Sequence, residues 1–305
     1  MKKTVPHGFR IFRHEPLSET FRRTVKEQLQ QSLLLCAQLP ENPDYATHEI
    51  RKCTKRIRAI YRLFNPVAGQ MWYHQSRDLY SNLSKVLAAY RISFVNLETM
   101  RGFQQDNRTP VSSEYIAHQI SMMEQSHRQL TTSLFHEQRA DRYLAATIQA
   151  EIKSLAEKPL PACSFDDIAP AFRKTYSQGK KCLDKVLVHP SAEHHHELRK
   201  MTKALWNQMI LLRPVYPAMM GLVINHLDIL AKRLGQEHDL AELETFLNRE
   251  KNEDTDLRRP LLAFIGKRRF QIQKSLKSLA VRIYADKSAG MIRKIKVYYS
   301  AFAGK

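Results

Sequence analysis

Two stretches of the chain carry the same chemistry at the same spacing. "HEIRKCTKRIRAIYRLFNPV" starts at His48 and "HELRKMTKALWNQMILLRPV" at His196, and they align without a gap at an offset of 148 residues. Each sets an arginine three residues after its histidine, a lysine four after it and another lysine seven after it. On a helix these intervals place side chains on one face, about one turn or roughly 5.4 Å apart. With His48 at the zero of a helical wheel, Arg51, Lys52, Lys55, Arg58 and Arg62 fall between about −80° and +40°. Ile50, Cys53, Ile57, Tyr61 and Phe64 fall within about 40° of the opposite pole. The second copy puts Leu198, Met201, Leu205, Met209 and Leu212 on the apolar pole and His196, Arg199, Lys200 and Lys203 on the basic one. There the basic stripe stops early, because Trp206 and Ile210 stand where the first copy has Arg58 and Arg62.

A one-sided ladder of cations suits a linear polyanion. Solvated helix faces usually mix signs, since Glu–Lys pairs four apart support a helix and like charges four apart cost a few tenths of a kcal/mol. Glu49 and Glu197 are the only acids in the two segments, and both lie on the flank. A chain that keeps this cost twice, at matching places, is using it. Asp44 and Ser191 are the capping candidates, which sets His48 and His196 within the first two turns. Free backbone N–H groups and the positive end of a helix favour phosphate oxygens there. A histidine can donate to such an anion, and its charge adjusts near neutral pH.

The composition agrees. Lysine and arginine number 49 against 30 acids, a formal net charge of +19. So large an excess repels itself in the compact state and calls for a nucleic acid, an anionic membrane or a phosphate polymer. Hydrophobic residues make up 43 %, enough for a real core. The opening "MKKTVPHGFRIFRHEP" lacks the apolar run of a secretory signal. The longest uncharged apolar-rich stretch, "PVYPAMMGLVINHL", is too short to span a bilayer. The four cysteines form no CxxC pair. A cytoplasmic protein without a membrane partner is expected.

The elements that must position these stripes are helices. Glycines number only nine, apolar residues recur at three- and four-residue spacing, and no strand-like alternation persists. Pro- and Asn-rich breaks at 39–44, 65–69, 102–113, 157–167, 188–193, 213–217 and 249–260 predict about four helices on each side of the 157–167 linker. The sides repeat further: "FRRTVKE" from Phe21 matches "FRKTYSQ" from Phe172, and "LAAYRISFV" from Leu87 matches "LGQEHDLAE" from Leu234. The expected fold is all-α, with two halves at 15–158 and 165–302, each the size of a four-helix bundle and related by internal duplication.

The stretches "HEIRKCTKRIR" from His48, "HELRKMTK" from His196 and "LGQEHD" from Leu234, with "FRKTYSQGKKCLDKVL" before the second histidine helix, resemble the CHAD domain family over roughly residues 15 to 300. The resemblance implies two four-helix bundles related by a pseudo-twofold, with a central basic surface that binds inorganic polyphosphate. By residue match it implies His48, Arg51, Lys52, Lys55, Arg56 and Arg58 as ligands from the first half. His196, Arg199, Lys200 and Lys203 are those from the second. Arg22 and Arg23, paired with Arg173 and Lys174, are weaker candidates on the preceding helices, and "KKCLDK" adds Lys180 and Lys181. Lys267, Arg268 and Arg269 could equally be a solvated face. The first half departs from the family's pattern where Ile92 replaces the acid after Arg91. The expectation is a non-catalytic protein without cofactor or metal, associated with polyphosphate granules and polyphosphate-metabolising proteins.

Three rival functions share parts of this signature. Nucleic-acid binding explains the charge equally well, but single-strand binders interleave aromatics with their cations, and Tyr61 and Phe64 fall on the apolar pole. A metal site is suggested by His194, His195 and His196, yet consecutive helical residues point about 100° apart and cannot converge on one ion. A histidine phosphotransfer bundle also places one histidine on a helix, though two copies inside a cation ladder favour binding over relay. No Walker loop, HExxH motif or ExExK strand is present.

Overall fold

The computed structural model describes residues 8–158, 160–249 and 255–304, and these are helical with no strand. Residues 1–7, from which part of the secretory-signal reading came, lie outside the described residues, as does 250–254 of the polar loop read at 249–260. The first half contains α1 (Leu17–Cys36), α2 (Pro43–Ala68), α3 (Gln70–Val86), α4 (Ala88–Gln104), α5 (Ser113–Thr131) and α6 (Ala140–Glu157), with a π-type segment at Thr132–Glu137. The second contains α7 (Phe165–Val188), α8 (Ala192–Leu211), α9 (Pro217–Arg249), α10 (Thr255–Ile283) and α11 (Ser288–Ala303). No described helix is long and apolar enough to cross a membrane.

Local chemistry sets the breaks. α2 carries Pro66 in its last turn and stops at Gly69, whose φ of 84° favours a residue without Cβ. Ser191 caps α8 by accepting from the His194 N–H at 3.1 Å. Ser164 and Asp167 form a capping box on α7. Asp44 is not the cap of α2: the helix starts one residue earlier, after Asn42, and the Asp44 carboxylate accepts the Tyr90 hydroxyl at 2.6 Å.

Among the described residues the helices number six and five rather than four and four. The two halves differ in the third of their five runs. In the first it is interrupted at Leu87, leaving α3 and α4; in the second α9 runs unbroken through the corresponding Leu234. "LGQEHD" is therefore helix interior. α6 and α11 again begin 148 residues apart, at Ala140 and Ser288.

Nor does each half own a core. The larger cluster joins Phe21, Ile57, Tyr61 and Phe64 of the first half to Phe172, Leu198, Leu205, Leu227 and Leu234 of the second. The smaller joins Leu97, Met100, Phe103 and Ile116 of α4 and α5 to Leu243, Leu247, Leu261 and Ile265 of α9 and α10. Burying both apolar faces of the long third run requires contacts from both halves, so the two cores are shared.

Candidate functional site

The apolar poles of α2 and α8 are buried, including Ile50, Ile57 and Phe64 on one helix and Leu198, Leu205 and Met209 on the other. The helices pack against each other, and the Gln208 side chain of α8 donates to the Ala59 carbonyl of α2 at 3.2 Å inside the contact. With the apolar poles used up, the two basic stripes converge on one cleft. Lys55, Arg58 and Arg62 from α2 line it together with Arg199, Lys200 and Lys203 from α8, and α3 closes one side with Tyr73 and Arg77.

Arg91 of α4 completes the cluster, within electrostatic reach of Arg51, Lys55 and Arg199. Among the described residues none of Arg51, Lys55, Arg58, Arg91, Arg199 and Lys203 makes an ion pair within 4.0 Å. Arg51 donates to the Ser84 carbonyl at 2.9 Å, and Lys203 lies over the Trp206 ring at 4.3 Å. The Arg199 Nε is buried without a hydrogen-bond partner. The acids within electrostatic reach include Asp228, near Lys203, and Asp239, whose carboxyl is pushed up by burial despite Arg199, Arg91 and Lys55.

Burial and mutual repulsion weaken the hold of these groups on their protons. The Lys55 amine is pushed down to about 7, first by burial and then by Arg199, Arg51, Lys203 and Arg91. Its side chain stays open to water, because the cleft surrounds it without closing over it. Burial, then Arg91, lowers His48, and burial, then Lys200 and Arg199, lowers His196. The free site thus sheds protons to relieve its own charge.

The CHAD domain family model matches residues 23–248. This chain belongs to the CHAD domain family. Among solved structures, the CHAD domain from the plant Ricinus communis is similar with a TM-score of 0.64 at 15 % identity, covering 91 % of this chain and 96 % of that one. PptA from Streptomyces chartreusis is similar with a TM-score of 0.63 at 14 % identity, covering 89 % of this chain and 100 % of that one. No curated protein sequence matches.

Not every cation matched to the CHAD pattern reaches the cleft. Lys55, Arg58, Arg199, Lys200 and Lys203 line it, and His48, Arg51 and His196 stand within electrostatic reach of its cations. Lys200, which lines the cleft, is paired with Glu197 at 2.7 Å, and Lys52, which does not, with Glu49 at 2.9 Å. Arg56 turns away, donating to Gln28 and lying over Phe9. Arg22 caps the end of α6 by donating to the Leu155 and Lys158 carbonyls. Arg23 pins the opening segment through Glu15, Glu27 and the Gly8 and Arg10 carbonyls. These three are engaged away from the cleft, Arg22 and Arg23 by backbone carbonyls and acids and Arg56 by an amide and a ring. Arg173 reaches Ser288, and Lys180 points to the Asp286 carbonyl. Arg268 pairs with Asp106 and Arg269 with Glu237 and Glu244, all at the smaller core, and Lys267 is exposed beside them. Lys174 and Lys181 line an adjoining groove.

Residue matching missed Arg91 and His238 as members of the cleft, and Arg77 beside it. The first two occupy corresponding positions after Leu87 and Leu234, so the duplication could have found them. The His196 and His238 rings are in contact, and the His196 Nδ1 is buried without a partner. His194 and His195 turn instead to the His189 and Ser191 carbonyls. Among the described residues no group of three or more His, Cys, Asp and Glu is placed to hold a metal ion.

Proposed function

We propose that this protein binds inorganic polyphosphate, without catalysing its turnover, in the cleft between α2 and α8. The observation that carries the reading is the convergence of Arg51, Lys55, Arg58, Arg91, Arg199 and Lys203 without ion-pair partners. Like charges held together at an energetic cost are stabilised by a ligand of opposite sign. A flexible chain of phosphates fits better than a base-paired duplex, because the cations line a concave cleft and not a convex face. Each half contributes one basic helix, α2 from the first and α8 from the second. The setting we infer is the cytoplasm, at polyphosphate granules, beside polyphosphate-metabolising proteins.

The test is competition between long polyphosphate and single- or double-stranded nucleic acid at matched phosphate concentration and about physiological ionic strength, where screening acts over about 8 Å. Polyphosphate should displace nucleic acid. Equal or tighter binding of nucleic acid would overturn the assignment. A salt effect alone decides nothing, since counterion release weakens both.

A further inference from the structure

A second basic groove adjoins the central cleft on one side only. Lys174, Lys181 and Lys185 stand along one face of α7, at intervals of seven and four residues, and line this groove with Arg62 of α2 and Arg77 of α3. From Lys174 to Lys185 the helix rises about 16 Å. Arg62 and Arg77 line the central cleft as well, so the two are continuous. Arg62 is held in place at the junction, donating to Gln178 of α7 at 3.0 Å. Among the described residues no carboxylate pairs with Arg62 or the three lysines. The acid that lines the groove, Glu197, is engaged with Lys200, and Asp78 pairs with Arg77; Asp184 of α7 is not among the lining residues.

The duplicated half lacks this path. Aligning Phe21 with Phe172 matches the buried Thr24 to Thr175, and then Lys174, Lys181 and Lys185 correspond to Arg23, Gln30 and Leu34. Arg23 is locked by Glu15 and Glu27. Arg62 corresponds to Ile210, and Arg77 to Ile224. The continuation is therefore cationic on the α2–α3–α7 side and apolar or neutral on the other.

We infer that the α2–α3–α7 groove is an exit track for the polyanion, which makes the site one-ended and selective for long phosphate chains over short ones. The inference rests on the polyphosphate reading of the cleft. A short chain is satisfied by the central cations, whereas a long chain continues past Arg62 onto the α7 lysines and gains further contacts.

Titration of the full chain with tripolyphosphate and with linear polyphosphate several tens of units long tests this. The substitutions Lys174→Gln, Lys181→Gln and Lys185→Gln, combined, fall on exposed positions and should leave the circular dichroism spectrum unchanged. They should weaken the long chain about tenfold, three exposed contacts together, and leave tripolyphosphate unchanged. Combined Lys26→Gln, Lys153→Gln and Lys274→Gln substitutions remove the same charge outside the groove and should weaken the long chain much less. Equal loss with this control, equal loss for both ligands, or no loss for the long chain would overturn the track. Failure of the unsubstituted protein to bind either ligand would instead overturn the polyphosphate reading beneath it.

Discussion

The imidazole of His196 on α8 lies against that of His238 on α9, with ring centroids 4.6 Å apart and the planes inclined at 44°. In the first half the place of His238 is taken by Arg91, which approaches His48. One half thus opposes its helix histidine with a permanent charge and the other with a titratable one.

The histidine pair predicts acid sensitivity of the free protein. His238 is pushed down to about 3 by burial, then by Arg199, His196, Lys55 and Lys200. The unfolded chain takes up that proton near pH 6.5 and the folded one only near 3, so stability present above 6.5 is lost as pH falls between these values. Thermal midpoints should drop from pH 6.5 to pH 4, and His238→Gln should flatten the drop. An unchanged slope in the variant would assign the acid sensitivity to other groups.

Lys55 predicts a trade of stability against binding. Its proton is shed near pH 7 when folded and near 10.5 when unfolded, so the repulsion it suffers is full below 7 and fades toward 10.5. Lys55→Gln should raise the thermal midpoint of the free protein at pH 7 by ~1–2 °C, a small effect because water screens the open side chain. The gain should shrink toward pH 10. The same substitution should weaken polyphosphate binding, and a variant that is less stable at pH 7 would contradict the repulsion argument.

Binding should also take up protons. A polyanion in the cleft raises the affinity of Lys55, His48 and His196 for protons, each of which burial and neighbouring cations have lowered. Calorimetric titration with polyphosphate at pH 7, in buffers of different ionisation enthalpy, should show net uptake. Zero exchange or proton release would place the ligand away from these groups.

The arginines divide by role. Arg23→Gln removes hydrogen bonds to Glu15, Glu27 and two carbonyls and should cost ~1–3 kcal/mol of stability while leaving polyphosphate affinity within about twofold. Arg199→Gln should do the reverse, weakening binding with little loss of stability. Denaturant melts and binding titrations on both variants distinguish the roles, and a loss of affinity in Arg23→Gln with unchanged stability would return Arg23 to the site.

The basic helices were legible because their evidence is local. A stripe such as Arg51, Lys55 and Arg58 opposite Ile50, Ile57 and Tyr61 is a property of spacing, and the copy at His196 repeats it. What spacing cannot reveal is competition for a cation. Arg22, Arg23 and Arg56 have the same chemistry as Arg199, but the carbonyls of Leu155 and Lys158, distant in sequence, engage the first, and Glu15, in the irregular segment before α1, engages the second. The break at Leu87 and the continuity through Leu234 were equally hidden, since both segments are good helix formers and tertiary packing decides between them.

The unbroken α9 has a consequence for how the molecule comes apart. It runs 33 residues, about 50 Å of continuous hydrogen-bonded backbone, with Leu227, Leu230 and Leu234 in the larger core and Leu240, Leu243 and Leu247 in the smaller. Melting either core frees one end of the same rod and exposes the other core's lining. The two clusters are thereby coupled mechanically into one cooperative unit, and heating should give a single calorimetric transition, with the slowest amide exchange in the middle of α9.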